Sequence, residues 1–317
     1  MSQLRVTTTQ GAETWLEATV VETFQAGLRG ELLRPDGAGY DEARKIHNAM
    51  IDRRPALIAR CSGVADVLST VRFAREHNLL VSVRGGGHGM PGFAVCDGGL
   101  MLDLARMKSV HVAPHHRTVR AEAGVTWGEF DHETQAFGLA TTGGVVSSTG
   151  IAGLTLGGGH GFLMRRYGLA CDNLLSVDVV TADGRWFCAS ATEHAELFWG
   201  LRGGGGNFGV VTSFEFRLHP VETVYGGPIF YPASASAEIL AFFRDFVATA
   251  PRELGLFFGY HEAPPAPFVP EALHGAKACV IQTCWTGDIG DAEAVLKPIR
   301  DAGPVALDLQ GQCLIRR

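Results

Sequence analysis

The residues best placed to do chemistry begin with one histidine in a bare turn: Leu79-Leu80-Val81-Ser82-Val83-Arg84-Gly85-Gly86-Gly87-His88-Gly89. Imidazole is a nucleophile and a proton carrier near neutral pH. The three glycines before it strip the backbone of side chains, so a large planar or phosphorylated ligand can come close. The same residue types recur in Leu154-Thr155-Leu156-Gly157-Gly158-Gly159-His160-Gly161. On residues alone, His88 also fits a loop histidine bonded to the backbone of a tight turn, and His160 fits a polar cap on the next helix. A third cluster, His111, His115 and His116, surrounds Pro114 in an expected hairpin turn. It has no acidic or cysteine partner at ligand spacing, which favours a solvated turn over a metal site.

Composition narrows the chemistry further. The 41 glycines gather at residues 85–89, 143–161 and 203–209, and three such clusters between apolar segments imply one shared pocket. A formal charge of -6 with no Lys/Arg-rich block argues against a nucleic-acid surface and gives no electrostatic reason for a membrane-surface role. Small molecules are the expected partners. Seven cysteines, Cys61, Cys96, Cys171, Cys188, Cys279, Cys284 and Cys313, stand at irregular spacing, which suits buried reduced thiols better than a disulfide frame. The stretch from Met1 to Gly11 lacks the apolar core of a signal peptide, and no apolar run reaches the ~18 residues of a membrane span. A cytoplasmic address is the expectation.

The elements that must position the two glycine-bound histidines follow from periodicity. Helices are expected over residues 13–28 and 40–50. Another carries Val64, Val67, Leu68, Val71 and Ala74, with Ser62 as its cap and Asp66 near its positive end. Residues 79–83 read as a buried strand feeding the turn at His88. Strands are expected at 100–104, 109–112 and 118–123, a helix at 127–137, and strands again at 175–181, 186–189 and 210–218. After His219-Pro220 the order becomes strand 225–231, helix 237–250, strand 254–261, strand 277–285 and helix 291–302. This is a split-βαβ order one strand short of completion. At 317 residues two cores are expected, and the mixed order points to an α+β fold.

Two stretches match GxGxxG by letter, residues 87–92 and 204–209. A dinucleotide site of that kind needs a strand before and a helix after, and neither stretch has both. No Gly-Lys dipeptide and no GxSxG elbow occurs, which removes P-loop and α/β-hydrolase chemistry.

Several motifs taken together resemble a known family: Arg54-Pro55-Ala56-Leu57-Ile58, Val83 to Gly89, Ala123-Gly124-Val125-Thr126-Trp127-Gly128, Gly143 to Gly161, Arg165-Arg166-Tyr167-Gly168-Leu169 with Asp172-Asn173, and Leu197 to Val211. Their order and spacing over residues 40–220 resemble the FAD-binding domain of the PCMH-type, berberine-bridge-enzyme-like oxidases.

That resemblance implies FAD bound covalently by His88 through the flavin 8α-methyl carbon, with backbone N–H groups from Arg84, Gly85, Gly86, Gly87, Gly89 and Met90 on the pyrophosphate. Gly144, Ser148, Gly150, Gly153, Gly158, Gly159 and Val211 are the further implied cofactor contacts. Relatives with a second link carry a cysteine where this chain has Val146, so a single bond is implied. His160 falls where some relatives place a tyrosine facing flavin and substrate, which makes it the candidate for orienting a substrate hydroxyl or relaying a proton. The implied reaction is hydride transfer from a small alcohol, sugar or amine to flavin, with reoxidation by oxygen. No metal, nucleic acid or membrane is implied. The implied layout is an N-terminal helical segment (1–52), an FAD-binding domain (53–222) and a partial substrate domain (223–317). Members of the family run longer, so the expected alternative is a C-terminally truncated FAD-binding module without turnover.

Overall fold

The computed structural model describes residues 3–314; Met1, Ser2 and Ile315 to Arg317, at the ends of the stretches read above, lie outside it. The chain opens with strands β1 (Leu4–Thr7) and β2 (Glu13–Leu16), an antiparallel pair in which Leu4 meets Leu16. Helix α1 (Ala18–Ala26) follows. The single helix expected over residues 13–28 is therefore a strand and a shorter helix, because cross-strand pairing with β1 claims residues whose own pattern is helical. After β3 (Glu31–Leu33), helix α2 is one turn, Tyr40–Ala43, and the expected helix to residue 50 gives way to a loop. Then come β4 (Leu57–Arg60), α3 (Val64–Glu76), β5 (Val81–Arg84) and β6 (Leu100–Asp103). These strands form a sheet in the order β3-β4-β6-β5, parallel from β4 to β5.

Two local expectations change here. Gly63, not Ser62, stands at the N-cap of α3; the buried Asp66 carboxylate instead accepts backbone N–H groups of Ser62 (2.8 Å), Arg29 (2.9 Å) and Gly30 (3.0 Å). And β5 is an edge strand, so Ser82 is buried while Val81 and Val83 are exposed on its uncovered face.

A second sheet follows: β7 (Val110–Ala113) and β8 (Thr118–Glu122), helix α4 (Trp127–Gln135), the short β9 (Leu139–Ala140), helices α5 (Ile151–Leu156) and α6 (Met164–Tyr167), β10 (Leu174–Val180), β11 (Trp186–Ser190), α7 (Ala195–Leu201), β12 (Val210–Arg217) and β13 (His219–Pro220). The sheet order is β11-β10-β12-β8-β7, and β13 pairs with β9. Glu129 reaches back to the Thr126 N–H (2.8 Å), a capping box that starts α4. Trp127, Phe130 and Phe216 then pack edge-on or tilted with centroids 5.1–6.0 Å apart, which fixes α4 to β12. Truncating a buried Trp of this kind costs about 3–5 kcal/mol.

The last unit comprises β14 (Thr223–Pro232), α8 (Ser236–Thr249), β15 (Leu254–Glu262), β16 (Lys277–Trp285), α9 (Ala292–Arg300), β17 (Leu307–Asp308) and β18 (Gly311–Leu314). The missing strand of the split-βαβ expectation is present. It comes in two pieces, β17 on Ile229 and Phe230 and β18 on Thr223 to Gly226, interrupted at Leu309 and Gln310. The resulting antiparallel order, β15-β16-β14 and then β17 with β18, completes the unit, with α8 and α9 over a core of Ile229, Tyr231, Ile239, Leu254, Ile281 and Leu296. The whole is mixed α+β.

Candidate functional site

The three glycine clusters do converge, and the object they meet is the two-turn helix α5. At its N-terminal end, Gly86 and Gly150 interlock backbone to backbone: a Cβ on Gly86 would lie 2.4 Å from the Gly150 nitrogen, and one on Gly150 would lie 2.5 Å from the Gly86 nitrogen. At its other end the Gly205 N–H donates to the Leu156 carbonyl (2.8 Å). Many of the glycines are therefore spent on chain-to-chain contact. Gly89 and Gly153 are different, because a Cβ at either would meet nothing within 4 Å. Gly153 is an exposed glycine inside a helix, a choice that costs about 0.5–1 kcal/mol relative to alanine and has no packing reason in the protein alone.

His88 stands half-buried beside this cradle. Its Nε2 shares a hydrogen bond with Ser148 Oγ at 3.1 Å. The His47 ring lies flat against it, with centroids 3.8 Å apart and planes 16° from parallel. Burial, and then the neighbouring His47 charge, hold His88 below the ordinary imidazole range, so the neutral, nucleophilic form is favoured.

Ser148 belongs to the segment that leads into α5, and two residues earlier that segment becomes a cavity wall. A cavity of about 610 Å³ lies where Gly144, Val146 and Phe162 face Gln282 and Thr283 of β16 and His261 of β15. Two polar atoms beside it lack partners among the described residues: the buried Thr141 Oγ1, on the cavity lining, and Trp127 Nε1, which a Cβ on Gly144 would approach to 3.4 Å. Buried polar groups without partners are rare, and these two are open to a bound ligand or water.

The Arg165-Arg166 motif locks the two sides of this junction together. Arg165 donates to the Val247 and Ala250 carbonyls (3.2 and 2.8 Å) at the C-terminal end of α8, and Arg166 donates to the Thr286 carbonyl and to its hydroxyl (3.1 Å). Phe162 meets Phe257 edge-on at 5.2 Å. Behind them, His219 stacks on Tyr167 (3.9 Å, 13°) and bonds Asn173 Oδ1 (2.7 Å). The Asn173 amide donates to the Tyr167 and Leu169 carbonyls, so Oδ1 is the acceptor and His219 Nε2 carries the hydrogen.

The family described as FAD binding domain matches residues 55–190. The chain is 44% identical over 192 residues to (R)-6-hydroxynicotine oxidase of Paenarthrobacter nicotinovorans, covering 61% of this chain and 42% of that protein. Over residues 55–190 the chain is similar to the FAD binding domain of FAD-linked oxidases. Its fold superposes on 6-hydroxy-D-nicotine oxidase from Arthrobacter nicotinovorans with a TM-score of 0.80 at 35% identity, covering 89% of this chain and 61% of that one. It superposes on glucooligosaccharide oxidase from Acremonium strictum, whose FAD is described as 6-S-cysteinyl, 8α-N1-histidyl, with a TM-score of 0.79 at 28% identity, covering 93% and 61%. The chain thus spans less than two thirds of each of these relatives.

The residues expected at the flavin separate into groups. Gly85, Gly86, Gly87, His88, Ser148, Gly150 and Gly153 come together around the start of α5. Gly89 and Met90 continue from them into solvent. Arg84 differs: its guanidinium is turned inward onto the fully buried Asp103 (3.0 and 2.8 Å) and the Lys45 carbonyl (3.0 Å), leaving only its backbone for a cofactor. Gly144 lines the junction cavity. Gly158 and Gly159 give their carbonyls to Cys171 and Ala170 and so bend the chain after α5. The Val211 side chain is buried in the main core. His160 does not cap α6, whose N-cap is Leu163; it is exposed, 6.1 Å from Phe257 at the rim of the junction and outside the cavity lining.

His111, His115 and His116 lie on and beside the β7–β8 turn, and among the described residues no His, Cys, Asp or Glu cluster could hold a metal. None of the seven cysteines forms a disulfide, and not all are buried: Cys188 is half-buried and Cys313 is exposed. Burial pushes the Cys61 thiol up to about 12. Among the described residues no helix is long and apolar enough to cross a membrane. His47 was invisible to spacing, as one ring in a stretch that reads as helix and folds as loop.

Proposed function

We propose that the chain holds FAD by a single covalent bond from His88 to the 8α carbon and uses it to oxidise a small alcohol, sugar or amine, with oxygen as the acceptor. One observation carries this reading. His88 is hydrogen-bonded to Ser148, two residues on from the Val146 that walls the junction cavity, which supports a group fixed at His88 reaching toward that cavity.

The chain offers FAD a bare cradle from Gly85 to Met90 and around Gly150 and Gly153, the unpaired Trp127 N–H and Thr141 hydroxyl, and Ser148 on the anchoring imidazole. The backbones of Gly158, Gly159 and Val211 complete the set we assign to it. Val146 offers no thiol, which leaves one link. When bound, FAD supplies the hydride acceptor. The protein then has to orient the substrate C–H and keep water out. Gln282, Thr283 and His261 give the opposite wall hydrogen-bonding groups for a substrate hydroxyl or amine, and His160 at the rim is the side chain we assign to orienting that group or passing its proton.

In this reading residues 53–222 are the cofactor domain and residues 223–317 contribute to the substrate side. Seven cysteines outside any disulfide support a reducing, cytoplasmic setting. The test is oxygen-dependent hydrogen peroxide formation by the purified, flavin-loaded protein across sugars, alcohols and cyclic amines. Peroxide from one class supports the oxidase and identifies its substrate. Bound flavin with no peroxide from any class replaces this reading with an FAD-holding module that does not turn over.

A further inference from the structure

We propose that His47 is a positioning residue for flavin attachment: its imidazole lies flat on His88 and fixes the orientation from which a ring nitrogen meets the 8α carbon. The inference rests on the reading of His88 as the attachment point.

His88 projects from a turn of glycines that gives its ring little side-chain packing. Two contacts determine where the ring sits. Ser148 Oγ holds Nε2 at 3.1 Å. His47 covers one face at 3.8 Å, and its own place is fixed through the main chain, where the His47 N–H donates to the Gly87 carbonyl (3.0 Å). The loop is pinned again one residue on, where the Asn48 amide donates to the Met90 carbonyl (2.9 Å). The loop after α2 and the turn after β5 are thus joined on both sides of the stacked pair. The nearby cations do not compete for the ring, since Arg84 is spent on Asp103 and Lys45 on Glu42 (2.7 Å).

Attachment removes one hydrogen from the 8α-methyl carbon and one proton from an imidazole nitrogen, forms the C–N bond, and leaves two electrons on the flavin. Dioxygen removes those electrons and takes up the two protons as hydrogen peroxide. The reaction requires the imidazole lone pair to be aligned on the methyl carbon, and a ring free to rotate about its side-chain bonds reaches that alignment only part of the time.

The test compares the unmodified full chain with His47→Phe, which keeps a flat ring, and His47→Leu, which keeps apolar bulk without one. Each purified protein is precipitated with acid, and pelleted flavin is measured as a fraction of total bound flavin. The expected result is a pelleted fraction reduced several-fold in His47→Leu and restored in His47→Phe, with total flavin similar in all three. Equal pelleted fractions in all three proteins overturn the role of His47 and leave the role of His88 intact. Equal losses in both variants, without rescue by Phe, also overturn it. If the unmodified protein itself releases all its flavin, the attachment at His88 fails, and the inference fails with it.

Discussion

The cradle around α5 and the β16 side of the junction cavity are built by opposite means. In the cradle the chain meets itself backbone to backbone, as at Gly86 and Gly150, where a single added carbon has no room. Across the cavity the wall is made of ordinary side chains, Gln282, Thr283 and His261, on regular antiparallel strands. The first arrangement tolerates one residue type and the second tolerates many. In the proposed reading, the first holds the cofactor and the second sets substrate choice.

The comparison is broken most severely by Gly86→Ala. The methyl group would sit inside the Gly150 backbone, so a loss of about 3 kcal/mol or more is expected, with failure to retain flavin; denaturant unfolding checks it. Next is Arg165→Ala, which removes two charge-assisted hydrogen bonds from the end of α8 and should cost about 2 kcal/mol. Its effect should appear first as separate unfolding of the β14–β18 unit, read by hydrogen exchange.

Gly153→Ala sharpens the contrast within the cradle itself. Its Cβ enters open space, so the flavin-free fold should gain about 0.5–1 kcal/mol while flavin retention falls. A gain in both would mean that Gly153 does not face the cofactor.

The smallest effect concerns the join between the two sides. Burial, and then Arg217, Arg166 and Arg117, hold His219 below the ordinary imidazole range. The unfolded chain therefore takes up its proton first, and stability present above pH ~6.5 is lost as pH falls through the lower folded value. His219→Gln should flatten that acid limb in thermal unfolding measured against pH.

How much of this was legible in the sequence follows from the same contrast. Positions that admit only glycine write themselves into composition, so the glycine clusters and His88 could be singled out in advance, whereas Ser148 came only with the family resemblance. Helices α3 and α4 were readable because their patterns are local. The strand Glu13–Leu16 was not, since its partner β1 decides its conformation. Nor was the closing strand, which is split into β17 and β18 and has few apolar residues to mark it. The clamp was present as letters, Arg165-Arg166, but its carbonyl partners lie 82–120 residues away. His47 reaches His88 only because a predicted helix unwinds after Ala43.

The central claim is that His88 anchors the flavin, and acid precipitation of the purified protein tests it most directly. The account expects a yellow pellet from the unmodified chain, and flavin released to the supernatant from His88→Ala. Free flavin from the unmodified protein, or a yellow pellet that survives His88→Ala, would contradict it.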